Sequence, residues 1–148
     1  MRLLLTTALS APNPHAVLAR FDEALFRALA PPFPRLDVTR FDGCRPHDIV
    51  ALTMDWGVGR QSWVSRITDA GQTPTAAWFT DEGQTLPWPF RQWRHHHRVE
   101  ADPGTGGTII TDDLTYHTAS PVLDWLVRPS LWALLAYRKP VYRRFLGN

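Results

Sequence analysis

The residues able to do chemistry cluster in one part of the chain. His95, His96 and His97 are consecutive, and Asp112 and Tyr116 follow shortly after. An imidazole held beside a carboxylate can move protons, orient a polar ligand or help hold a metal. Alternate side chains of an extended strand share a face. His95 and His97 therefore point one way with Trp93 and Val99, and His96 points the other way with Arg94, Arg98 and Glu100. The charged set belongs in water, which turns His95 and His97 inward. In the next strand, Thr108, Ile110, Asp112, Leu114 and Tyr116 share a face, and the opposite face is the more polar one. Asp112 and Tyr116 are thus expected inside. The turn at 102–107 makes the two strands neighbours, so His95 or His97 is expected near Asp112 or Tyr116.

Three chemistries fit His95, His97 and Asp112. A buried carboxylate needs hydrogen-bond partners, so an internal network is one. Polar recognition inside an apolar cavity is the second. A site of two histidines and a carboxylate for a metal is the third. The expectation is no metal and no cofactor, with His95, His97, Asp112 and Tyr116 as the candidates should a reaction be catalysed. Cys44 follows Asp42-Gly43 in a turn with no neighbouring pattern that marks a nucleophile. The sequence carries no phosphate loop, dinucleotide fingerprint or paired-carboxylate motif.

Large aromatics either fill a core or line an apolar cavity, and there are seven tryptophans. Trp56, Trp63, Trp78 and Trp93 fall in expected strands, Trp125 and Trp132 on an expected helix, and core filling accounts for most of them. Trp88 lies in a Pro-flanked loop, poorly placed for a core, and is read either as a lid or as a surface-packed side chain. The expected ligand contacts are Trp56, Trp63, Trp78, Trp88, Phe90, Trp93, His95, His97, Asp112, Tyr116 and Leu131.

The elements that position these residues are punctuated clearly. Leu3, Leu5, Thr7 and Leu9 alternate as one face of a strand, a pattern that fits better than a secretory leader. Asn13-Pro14 opens a helix with Val17, Leu18, Phe21, Leu25, Ala28 and Leu29 on its apolar side, and Pro31, Pro32 and Pro34 end it. Period-two patterning then predicts strands at 36–41, 47–56, 60–69, 74–82, 91–101 and 106–117. Turns fall at Asp42-Gly43, 57–59, Ala70-Gly71 and 102–104, and a longer loop spans 83–89. Ser120-Pro121 opens a last helix with Leu123, Leu126, Val127, Leu131, Leu134 and Leu135 as its stripe. Arg138, Lys139, Arg143 and Arg144 near its end read as a solvated, dipole-matched face. Pro129 and Pro140 predict kinks or a break.

The chain has 148 residues, enough for one domain over 1–148, with 44% hydrophobic and 20% charged residues. The longest apolar-rich stretch, 122–135, is interrupted by Asp124, Arg128 and Pro129, which argues against a membrane span. A net charge of +2 does not point to nucleic acid. One cysteine excludes an internal disulfide and fits a reducing, cytoplasmic setting. Oligomeric state is left open.

The order strand, helix, six strands, long helix resembles the helix-grip fold of the START and birch-pollen-allergen (SRPBCC) superfamily. The wording resembles a bacterial ligand-binding branch related to polyketide cyclase/dehydrase-like proteins. The stretches that carry this are Trp63 with 64–68, Phe79-Thr80-Asp81, 89–95, 108–116 and Tyr137-Arg138. The branch usually has Gly before Pro-Phe, where this chain has Trp88. The resemblance implies an α+β protein, with a curved seven-stranded antiparallel sheet around the C-terminal helix and a short helix after strand 1. It also implies a cavity for a small hydrophobic or amphipathic ligand. The expected function is binding or carriage of such a molecule. The alternatives are a cyclase/dehydratase-type enzyme with inward His, Asp and Tyr groups, and an interaction or co-regulatory protein with a filled interior. An apolar pocket without polar convergence favours carriage; His bonded to Asp, both reaching the lumen, favours catalysis.

Overall fold

The computed structural model describes residues 1–147. Strand β1 (Arg2–Leu9) alternates exposed and buried residues, with Leu3, Leu5, Thr7 and Leu9 inside. Helices α1 (Pro14–Ala19) and α2 (Glu23–Ala28) follow, then β2 (Arg35–Phe41), β3 (Ile49–Asp55), β4 (Arg60–Thr73), β5 (Ala76–Thr85), β6 (Phe90–Ala101), β7 (Thr108–Thr118) and α3 (Pro121–Leu146). The strands form one antiparallel sheet in the order β1-β7-β6-β5-β4-β3-β2. With the long helix after β7 and the short helices after β1, this is the helix-grip architecture. No helix among the described residues is long and apolar enough to cross a membrane.

Several expected boundaries move. The single first helix is two, because Asp22 leaves the helical face and caps α2 by accepting from Leu25 N. The turn expected at Ala70-Gly71 lies at residues 74–75 instead, and Gly71 stays inside β4. There the Trp78 ring fills the place a side chain would take: a Cβ on Gly71 would stand 2.5 Å from it. Trp56 falls just past β3 rather than within it. Pro129 and Pro140 do not break α3, which runs as one 26-residue helix. Both prolines are exposed, so water can serve the carbonyls that lose their helical donors.

α3 packs directly against β1 and β7, and its first turn is tied there. The Ser120 side chain caps Leu123 N, Asp124 accepts from Thr118 N and Oγ1, and the Tyr116 hydroxyl donates to the Asp124 carbonyl at 2.8 Å. Two apolar clusters result. One joins Leu9, Val17, Leu25, Val99 and Ile110 to Val141, Tyr142 and Leu146. The other joins Leu3, Leu5, Trp93, Leu114 and Tyr116 to Leu131 and Leu135. Asp112 lies between Ile110 of the first and Leu114 of the second.

The β6–β7 hairpin sets the register of the site residues, and Gly107 fixes its closing turn. A Cβ at Gly107 would meet the Leu9 carbonyl oxygen at 2.1 Å, whereas one at Gly59 meets nothing within 4 Å. Gly107→Ala is expected to cost about 1–3 kcal/mol and Gly59→Ala under about 0.5 kcal/mol. Urea melts of the two variants check this; equal midpoints would contradict it.

Candidate functional site

The strand register assembles the site. Across β5 and β6, Asp81 pairs with His95 and Phe79 with His97; across β6 and β7, His97 pairs with Asp112. Alternation turns all five inward. α3 then adds Arg138 and Tyr142 from the other side. His95 Nε2 lies 3.0 Å from Asp112 Oδ1, and the Tyr142 hydroxyl donates to the same oxygen at 3.2 Å. His97 Nε2 lies 3.2 Å from Asp81 Oδ2, and its Nδ1 stands 3.1 Å from Asp112 Oδ1, off the hydrogen-bonding direction. Arg138 Nη1 is 3.8 Å from Asp112 Oδ1. Phe79 stacks on His97 with centroids 4.5 Å apart, and the His95 and His97 rings lie 3.9 Å apart.

Burial and pairing divide the charges. Burial pulls His95 down to about 4, helped by its neighbour His97 and opposed by Asp112, so His95 is neutral near pH 7. Burial also opposes charge on His97, but contacts with Asp112 and Asp81 outweigh it and the pKa rises. Both carboxyls are held below the usual range despite burial, chiefly by hydrogen bonds from the imidazoles. Arg138 is likewise raised against burial, by Tyr142 and Asp112. Burial pushes the Tyr142 phenol up, with Asp112 adding to the rise. With His97 protonated, the cluster of two carboxylates and two cations is neutral.

A cavity of about 820 Å³ opens between α3 and strands β2–β6. Leu36, Val38, Leu52, Met54, Ile67 and Leu134 contribute to its apolar wall, and Asp81, His95, His97 and Arg138 are gathered on it. Trp63, Phe90, Trp93 and Leu131 also line it. Trp56 and the 67%-exposed Trp88 line it where it meets solvent, with Phe33 set edge-on to Trp56 at 5.5 Å.

Three of the expected contacts lie elsewhere. Trp78 is on the outer sheet face, bonded to Asp69 and covered by Arg98. Asp112 sits behind the histidines rather than on the cavity wall. Tyr116 is spent on the Asp124 carbonyl and is not a partner of Asp112; Tyr142 takes that place. Trp125 and Trp132 are exposed rather than in the core.

Asp81, Arg138 and Tyr142 escaped the sequence reading. Phe79 and Asp81 share a strand face, and pairing β5 with β6 would have placed Asp81 opposite His95. Arg138 reads as one of four surface cations, but its side chain is only 13% exposed and is turned into the site. Cys44 also reaches the cavity, its thiol donating to the Phe21 carbonyl. Burial and nearby carboxylates push that thiol up to about 12, which keeps it protonated at neutral pH. Donor atoms of Asp81, His95 and His97 lie within 4.8 Å of one another. This trio, rather than one with Asp112, has the spacing a metal would use, and Arg138 already supplies positive charge beside it.

No family model matches the sequence, and no curated protein matches it. Solved structures do. Protein Ms6760 from Mycobacterium smegmatis superposes with a TM-score of 0.67 at 18% identity, over 98% of this chain and 90% of that one. Ara h 8.0201 gives 0.61 at 17% identity, over all of both chains. The di-domain ARO/CYC StfQ from the steffimycin biosynthetic pathway gives 0.64 at 14% identity, over 99% of this chain and 49% of that one. Likeness at these identities is likeness of fold: the chain has the helix-grip fold.

Two outcomes follow from the cluster. Asp112→Ala leaves His95 and Tyr142 without their shared acceptor and Arg138 without its ion-pair partner, and is expected to cost about 3 kcal/mol. Asp113→Ala removes only the exposed pair with Arg2 and is expected to cost under about 1 kcal/mol. Urea midpoints that coincide would refute the difference. The pH dependence has two limbs. The pKa of His95 is lower in the fold than in the unfolded chain, so its contribution is lost as pH falls from 6.5 to about 4, on the order of 3 kcal/mol. His97 is raised, so its contribution is complete below 6.5 and lost as pH climbs through its higher folded value. His95→Gln should flatten the acid limb and His97→Gln the alkaline one. Denaturation curves from pH 4 to 9 that keep the wild-type shape in both variants would contradict this.

Proposed function

We propose that the protein binds or carries a small hydrophobic or amphipathic molecule in this cavity, with the polar end of the molecule at Asp81, His95, His97 and Arg138. The observation that carries this reading is the roughly 820 Å³ apolar chamber with its charged groups gathered in one cluster. That size and lining suit a drug-sized ligand oriented by a few polar contacts. With His97 protonated the cluster is neutral, so an uncharged hydroxyl or carbonyl fits beside it better than another carboxylate. His95 gives its Nε2 to Asp112, which leaves Nδ1 as the acceptor for a hydroxyl. The fold shared with Ara h 8.0201 and with StfQ supports the reading. The lone Cys44 suits a cytoplasmic setting.

A second reading is favoured by one specific observation. His97 and Asp81 are bonded to each other and both line the cavity, while Asp112 stands behind neutral His95. A neutral imidazole oriented by a carboxylate can accept a proton, and with its pKa at about 4 it is a weak base, matched to acidic pH. A cyclase/dehydratase-type reaction on a polyketide-like or lipid-like molecule would use His95 as base and His97 as acid.

Titration with fluorescent fatty-alcohol, sterol and polyphenol probes is expected to show micromolar binding, about −8 kcal/mol. His95→Ala should weaken hydroxylated probes about tenfold, the cost of one lost hydrogen bond to a buried group, and leave their deoxy analogues unchanged. Absence of binding across all three classes would refute the cavity's role. Conversion of a bound probe, detected by mass spectrometry and abolished in His95→Ala and Asp81→Asn, would establish the enzymatic reading instead.

A further inference from the structure

α3 is apolar on two sides. Its inner side buries Leu131, Leu135 and Tyr142. Its outer side carries Val122, Trp125, Leu126, Pro129, Trp132 and Ala133, spaced i, i+3, i+4, i+7, i+10 and i+11, which is one continuous face of a helix. That face is bare: Trp125 and Leu126 are 66% and 67% exposed and Trp132 is 55% exposed. Single exposed hydrophobics are ordinary, but a four-turn face with two tryptophans is an interaction surface.

Charge says what it meets. Asp124, the helix's one acid, is turned inward onto Thr118. Arg128, Lys139, Arg143 and Arg144 are cations with no acidic partner among the described residues. Arg128 lies over the Trp125 ring at 5.9 Å. Among the charges of α3 itself, the apolar face is therefore bordered by cations alone. A second copy of the chain would bring the same cations and oppose them. An anionic lipid surface supplies the missing charge, and tryptophans beside arginines are the side chains that settle at a headgroup boundary.

We propose that the outer face of the first four turns of α3 docks on an anionic membrane surface. Leu126 belongs to this face and also lines the cavity, as does exposed Trp88. Docking thus sets the cavity opening against the bilayer. If the cavity takes a hydrophobic ligand, as proposed above, that ligand can pass between lipid and cavity without crossing water. The docking itself does not depend on that reading.

The test is co-sedimentation of the full chain with phosphatidylcholine vesicles, with and without phosphatidylglycerol and at low and high salt. The chain is expected to pellet with phosphatidylglycerol vesicles and to bind about tenfold less to pure phosphatidylcholine or in high salt. Trp125→Ser with Trp132→Ser should lose about tenfold or more. Both residues are exposed and outside the cavity lining, so circular dichroism and probe binding in solution should match the wild type. Lipids brominated near the headgroup should quench the wild-type tryptophans more than the variant's. The proposal is overturned if the wild type stays in the supernatant with both vesicle types, or if the double variant pellets equally. It is also overturned if light scattering shows a dimer that the double variant abolishes and neither protein pellets. Each result is independent of whether a probe enters the cavity.

Discussion

A carboxylate fixed between two apolar clusters has to be neutralised and hydrogen-bonded, and Asp112 is that carboxylate. Burial of an isolated charge costs several kcal/mol, so its surroundings are dictated. Two elements answer it. β6 brings His95 and His97, and α3 brings Tyr142 and Arg138. The contact between sheet and helix is therefore not only apolar. One oxygen, Asp112 Oδ1, specifies the register of β6 on β7 and how α3 is seated along the sheet, because a shift of either would leave several buried groups unpaired at once.

The same requirement shapes the chemistry of the cavity. Asp112 holds His95 by one nitrogen, while the two carboxylates beside His97 raise its pKa. Two adjacent imidazoles 3.9 Å apart thus have their pKa values pushed in opposite directions, the arrangement from which acid and base roles arise. Neither shift needs a ligand, because the groups that cause both are supplied by the protein itself. The cost falls on packing. α3 is seated on β1 and β7 at one edge and leaves the space over β2–β6 unfilled, so its hold depends on the Tyr116–Asp124 tie and on the Asp112 cluster.

Much of this was legible in the sequence where periodicity decides. Alternation placed Trp93, His95, His97, Asp112 and Tyr116 inside, and Pro and Ser caps placed the helices. What failed needed pairing partners. Gly71 reads as a turn until Trp78, its partner across β4 and β5, is seen to cover it. Tyr116 and Tyr142 are both buried tyrosines near a buried aspartate, and only the geometry of α3 assigns Tyr142 to Asp112. Asp81 is invisible until β5 is paired with β6.

α3 shows the limit most plainly. A stripe of leucines can be drawn along nearly any side of it, because apolar residues surround its first four turns. Leu126 was assigned to the core stripe and faces outward; Arg138 was assigned to water and faces inward. A helix with one polar side announces its core by contrast, and this one offers no such contrast until Lys139. The sheet provides what the helix lacks. Asp112 draws Arg138 and Tyr142 inward, four residues apart on one side, and thereby turns Val122, Trp125, Leu126 and Trp132 away from the sheet. The buried charge that seats the helix is thus also the reason an apolar surface is left facing out.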